Sequence, residues 1–155
     1  MMEMRRTDRL MSEEETLKVL NDSEYGILAT VDEDLQPYGV PISYVYMDGC
    51  IYFHSTNAGG SKYNNLEYNS KVSFTVVGKT QVLPDKFGTL YESAIVYGTA
   101  ELVADEEERL MAFREFLNKY CPEFINEGEK YIKAAGPIAM IIKIKINNLT
   151  GKHRV

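Results

Sequence analysis

Ile51-Tyr52-Phe53-His54-Ser55-Thr56-Asn57-Ala58-Gly59-Gly60-Ser61-Lys62-Tyr63-Asn64-Asn65-Leu66, continuing to Val77-Gly78, is the stretch that decides the reading of this chain. Cys50 to His54 is apolar, aromatic and β-compatible, which predicts a strand. A polar, glycine-bearing loop follows, from Ser55 to Gly60. Tyr63 and Leu66, three apart, predict a short helix over Ser61 to Asn69, with Ser61 placed to cap it. Lys71 to Val77 predicts the next strand. A helix that starts behind a glycine loop presents unpaired N–H groups and the positive end of its dipole, so it can hold an anion. Gly59 and Gly60 permit close approach, Ser61 supplies a hydroxyl and Lys62 a charge on a flexible stem. Together they form a reasonable phosphate cradle. The pattern is neither a Walker sequence nor GxGxxG, and the same residues also fit a plain loop, a structural cap and a solvated lysine.

Upstream, Ser12-Glu13-Glu14-Glu15 reads as a capping box opening a helix with Leu17, Val19 and Leu20. Tyr25 to Val31 predicts a strand that stops at Asp32-Glu33-Asp34, and a second strand is expected from about Tyr38 to Tyr46. Asp48-Gly49 is a hairpin signal, because glycine accepts positive φ without strain. Downstream, Lys79 to Leu90 reads as irregular, and Tyr91 to Val103 as a long strand with a bend or bulge at Gly98. Asp105 to Tyr120 opens on acids and carries Leu110, Met111, Phe113, Phe116, Leu117 and Tyr120 near helical spacing. A further helix is expected from Glu123 to Ala135. In the closing strand, Ile138 to Ile146, isoleucines alternate with Lys143 and Lys145. Six strands with helices between them predict a mainly β, α+β fold, a closed or nearly closed antiparallel barrel in a single domain over residues 1–155.

Composition narrows the function. The chain has 155 residues, a net charge of −6 and scattered basic residues, which argues against a nucleic-acid partner. No apolar run approaches the roughly 20 residues of a membrane span. The first eleven residues lack the apolar core of a signal peptide, so a cytoplasmic location is expected. Cys50 and Cys121 stand in no ligand spacing, and Cys50 reads as a small hydrophobe. The acids at Asp105 to Glu108 read as a helix start, so no metal site is expected.

Ile51 to Ser55, Gly60-Ser61-Lys62, Asn65-Leu66, Asn69 and Lys71-Val72-Ser73-Phe74 together resemble the FMN site of the pyridoxamine 5′-phosphate oxidase-like split barrels. The similarity is greatest to the nitroimidazole-resistance branch. Met4 to Arg9, Tyr25 to Asp32, Val40 to Tyr44, Ser93 to Gly98 and Leu149 to Lys152 extend it over nearly the whole chain, in order. The resemblance implies a six-stranded antiparallel split β-barrel, the FMN-binding split barrel, that forms a homodimer with two FMN sites at the subunit interface. It places the flavin ring against Pro41, Ile42, Ser43 and Tyr44. It places the phosphate near His54, Ser55, Thr56, Ser61 and Lys62, with Asn65 close by and Lys152, His153 and Arg154 as further sources of charge. It implies an FMN-dependent oxidoreductase that reduces small acceptors, such as nitroaromatics or quinones, with a nicotinamide donor. The alternative is a flavin or haem carrier or sensor without turnover, with His54 or His153 as an axial ligand. The likeness does not extend to the C-terminal arginine and histidine motif of the vitamin B6 oxidases, so it does not imply pyridoxamine phosphate as substrate. His54, one of two histidines, is the candidate catalytic residue, because its ordinary pKa suits proton transfer near neutrality.

Overall fold

The structure is a computed structural model that describes residues 3–56 and 60–155. Its first helix, α1 (Glu13–Asp22), opens as expected: the Ser12 hydroxyl accepts from the Glu15 amide, and the Glu15 carboxylate accepts from the Ser12 amide. The strands are β1 (Tyr25–Val31), β2 (Pro37–Ser43), β3 (Val45–Met47), β4 (Cys50–Thr56), β5 (Lys71–Leu83), β6 (Gly88–Leu102) and β7 (Ala139–Arg154). Three more helices, α2 (Ser61–Tyr68), α3 (Glu106–Tyr120) and α4 (Ile125–Ala135), are set between them. All strand pairs are antiparallel, in the order β2-β1-β5-β6-β7-β4-β3. The two edge strands, β2 and β3, are consecutive in the chain and joined by Tyr44 alone. One residue cannot cross a flat seven-stranded sheet, so the sheet curls until its edges meet. The result is a split barrel.

There are seven strands where six were expected, because the strand expected over Tyr38 to Tyr46 breaks at Tyr44. The Tyr44 side chain is buried. Its hydroxyl donates to the Leu20 carbonyl, and its ring meets Phe74 edge-on at 4.8 Å. The Tyr44 amide donates to the Tyr120 hydroxyl at 3.0 Å, and its carbonyl accepts from Lys119 Nζ at 3.0 Å and from the Tyr120 hydroxyl at 2.9 Å. The end of α3 thus satisfies the backbone groups that a strand neighbour would otherwise pair.

A second correction concerns Lys79 to Leu90, expected to be irregular. The ladder resumes after a shift at Val77/Thr80, pairs Thr80 with Tyr91 through Leu83 with Gly88, and turns over the short 3-10 segment Pro84–Lys86. The closing strand, expected over Ile138 to Ile146, runs on to Arg154, because Asn148 to Arg154 continue the ladder along β6 past a register shift. Several turn and cap signals hold. Asp48 and Gly49 take φ of 51° and 76° at the β3–β4 turn, and β6 shifts register between Tyr97 and Gly98. Asp105 caps α3 by accepting from the Glu108 amide at 2.8 Å.

Apolar residues of alternate parity fill the barrel: Leu28, Phe53, Phe74, Val76, Val96, Ile142 and Ile144, plugged by Val19 and Leu20 of α1. A second cluster lies outside the sheet, where α3 places Ala112, Phe113 and Phe116 on Val45, Tyr52 and Ile141. Burying a large apolar side chain contributes roughly 1.5–3 kcal/mol, so these layers fix the positions of β4 and α3, which frame the site. Among the described residues, no helix is long and apolar enough to cross a membrane.

Candidate functional site

The β3–β4 ladder pairs Val45 with Tyr52. Continued by two residues it would set Ser43 opposite His54, but β2 leaves to pair with β1, where Ser43 lies opposite Tyr25. The split therefore opens between Pro41–Ser43 on one side and His54–Thr56 on the other, and α2 begins at its end. This brings together two of the three groups expected at a flavin site.

His54 is the first residue of β4 past the buried run Ile51–Phe53, and its ring meets Phe116 of α3 edge-on at 5.3 Å. Its pKa is held below the usual histidine value, first by burial of the ring against α3 and second by the nearby Lys62 charge. Lys62 is half-buried with Nζ 5.2 Å from the centre of the Phe53 ring, and burial holds its pKa below the usual lysine value. A cation that is partly stripped of water and stands beside a neutral histidine is suited to an incoming anion.

The helix start differs by one position from the sequence reading. Gly60 is the N-cap and makes no side-chain cap hydrogen bond, while Ser61 is the first helical residue. The first helical bond runs from the Asn64 amide to the Gly60 carbonyl at 3.1 Å. The amides of Ser61, Lys62 and Tyr63 therefore have no helical partner, and the exposed Ser61 hydroxyl is not used in capping. The residues present fit a phosphate: three amides without helical partners and a hydroxyl stand at one helix start, and its first turn carries the Lys62 ammonium. Asn57, Ala58 and Gly59, which belong to the cradle expected from sequence, lie outside the described residues.

Two candidates serve the fold. Asn65 is buried and donates from Nδ2 to Thr30 Oγ1 at 3.0 Å, tying α2 to β1. Tyr44 is the barrel hinge, so only its backbone borders the split. Pro41 and Ser43 are exposed and Ile42 half-buried, as a wall lining the opening requires.

Lys152 does not join the cradle within one chain. It stands eleven residues beyond Ile141, the ladder partner of His54, on the same strand, which is about 36 Å of strand path. It pairs instead with Ser93, and its Nζ lies 5.8 Å from the centre of the Tyr91 ring. His153 lies opposite Glu92 at the same far end, so His54 and His153 of one chain are not positioned to ligate a common iron.

Sequence reasoning gave α3 as a helix and assigned it no role at the site. Phe116 backs His54 and stacks on Tyr120 at 5.9 Å, while Tyr120 and Lys119 hold the hinge beside Ser43. The helical spacing of these aromatics was visible, but their target across the sheet was not.

A curled antiparallel barrel, open along one seam and with a helix N-terminus and a lysine at the opening, defines the split-barrel class of cofactor-binding folds. The family model described as pyridoxamine 5′-phosphate oxidase matches residues 12–153, and the chain belongs to that pyridoxamine 5′-phosphate oxidase-like family. Among solved structures, a conserved hypothetical protein of Mycobacterium tuberculosis is 24% identical with a TM-score of 0.82, covering 98% of this chain and 91% of its own. A protein of Bacteroides thetaiotaomicron ascribed to 5-nitroimidazole antibiotic resistance is 19% identical with a TM-score of 0.74, covering 93% and 86%. An FAD-binding protein of Mesorhizobium loti is 24% identical with a TM-score of 0.64, covering 95% and 98%. These likenesses establish the fold. No curated protein matches the chain by sequence.

Proposed function

We propose that this protein binds a flavin mononucleotide in the split and works as a homodimeric oxidoreductase on small acceptors, nitroaromatics or quinones, with a nicotinamide donor. The observation that carries the reading is the meeting of Lys62, His54 and the unpaired amides of α2 at the mouth of the split, beside the Pro41–Ser43 wall. Family membership and the FAD-binding relative support a flavin over other anionic ligands. A bound flavin supplies the two-electron chemistry.

The chain's own residues do the rest. Lys62 and the α2 amides balance the phosphate charge, with Ser55, Thr56 and Ser61 as neutral donors. Pro41, Ile42 and Ser43 give the ring a wall with little polar competition. His54, neutral at pH 7, donates or accepts one hydrogen bond and is placed to pass a proton to an acceptor as it is reduced.

The second copy supplies what one chain cannot. Tyr25, Ile27, Val77 and Tyr97 share one outer face of the sheet by register and are all exposed. That face is an unpartnered, mostly uncharged stripe, and Lys152 stands on its rim opposite Ser93. A copy packed there would bring Lys152 to a site that its own chain cannot reach.

The absorption spectrum of the protein after incubation with FMN and gel filtration tests the proposal. Flavin bands near one equivalent per chain are expected, with reduced nicotinamide consumed when a nitroaromatic or quinone is added. A protein that elutes free of flavin, or one that carries a Soret band and no flavin, contradicts it. The latter result would assign the haem-carrier reading.

A further inference from the structure

A cavity of about 900 Å³ lies between α3, α4 and the ends of β6 and β7, beside the split, since its Ala139, Met140 and Ile141 are the ladder partners of Thr56, Ser55 and His54. Val103, Met111, Phe113, Ile132, Met140 and Ile141 contribute its apolar lining. None of His54, Ser61 or Lys62 lines it. Its size falls within the range of small-molecule sites, roughly 300–1,000 Å³.

The walls of the cavity are tied by specific contacts. Gly128 of α4 lies against Leu117 of α3 so closely that a Cβ there would come within 2.3 Å of a leucine methyl. Ile132 of α4 packs on the α3 cluster, yet α4 has no buried residue along its length. Arg109, only 12% exposed, donates to the Gly136 carbonyl at 2.6 Å and the Ala139 carbonyl at 3.0 Å, which ties the α4–β7 turn to α3. Arg114 and Glu129 bridge the helices at 2.9 Å. Leu110 and Met111 of the lining stay 48% exposed each.

The charges at the rim limit the chemistry of the occupant. Arg109 is paired with Glu106 and Arg114 with Glu129, and Lys133 and Glu107 complete a lining of three basic and three acidic side chains. The lining has no net charge and no free guanidinium to reward an anion. Its two methionines, Met111 and Met140, adapt to varied apolar shapes.

We propose that the α3–α4 cavity is a binding site for a neutral, predominantly apolar small molecule, separate from the anion cradle. Nile red, neutral and apolar, serves as the probe on the full chain. Saturable fluorescence enhancement is expected, reversed by 1-decanol and at least tenfold less well by decanoate. Met111→Trp and Ile132→Trp, which fill the cavity from opposite helices, should each weaken Nile red at least tenfold, with circular dichroism and thermal unfolding unchanged. Met111 is half-exposed, so that variant has little fold to lose. Absence of saturable binding, wild-type affinity in both filled variants, or displacement by FMN overturns the site. Equal displacement by decanoate overturns the ligand class.

Discussion

Lys62 and His54 form the smallest unit of the site, and the Lys62 charge helps to lower the His54 pKa. Lys62 was legible in the sequence as a charge near a helix start, and His54 as a polar residue ending an apolar strand. The depressed His54 pKa was not legible, because its larger cause is packing of the ring against Phe116 of α3. The Ser61 cap was misread for a local reason: serine and glycine both serve as N-caps, and the φ and ψ of Gly60 decide which residue leads. In the ligand-free protein the His54 ring should titrate below pH 6.5, and an NMR titration of its Cε1 proton reads the midpoint. Lys62→Ala should raise that midpoint only part of the way, since burial is the larger cause. The depressed pKa means the unfolded chain takes up the proton first. The contribution of His54 to stability therefore falls as pH drops below 6.5. A midpoint at or above 6.5 contradicts the packing of the ring against Phe116 and the influence of the Lys62 charge.

At the level of elements, the sequence located the helices and most strands well, because caps and apolar periodicity are local. It lost the β2–β3 break, which is imposed by Tyr120 and Lys119 of α3. It also lost the β5–β6 arm, in which Pro84 and Gly88 obscured a strand pair resumed after a register shift. The hinge makes its own pH prediction. Lys119 sits 3.9 Å from the Tyr44 ring centre, and burial lowers its pKa to about 8, opposed in part by Asp22. Between pH 8 and 10 the unfolded chain keeps a proton that the folded chain gives up, so this residue's contribution to stability rises with pH. Urea unfolding should show wild type gaining on Lys119→Met from pH 8 to pH 10. Parallel stability curves for the two proteins would remove the buried lysine from the hinge.

The whole molecule was legible as an antiparallel barrel, since alternating strands with short turns leave few other closures, and the family resemblance added the split. What sequence could not supply was the distance between the cradle and Lys152, which lie at opposite ends of β7. Under the proposed function, a second copy packed on the uncharged sheet face is what brings Lys152 to the site. Light scattering at micromolar concentration should give twice the 17.6 kDa chain mass. A monomer that still retains FMN would defeat the shared-site arrangement. The central claim, that the start of α2 holds the flavin's phosphate, is tested most directly by titrating FMN and riboflavin against wild type and Lys62→Ala, following flavin fluorescence. Hydrogen bonds to charged groups contribute roughly 1.5–3 kcal/mol, so FMN affinity should fall about tenfold to a hundredfold. Riboflavin has no phosphate and should bind both proteins alike. Equal losses for both flavins, or no loss for either, would contradict the cradle.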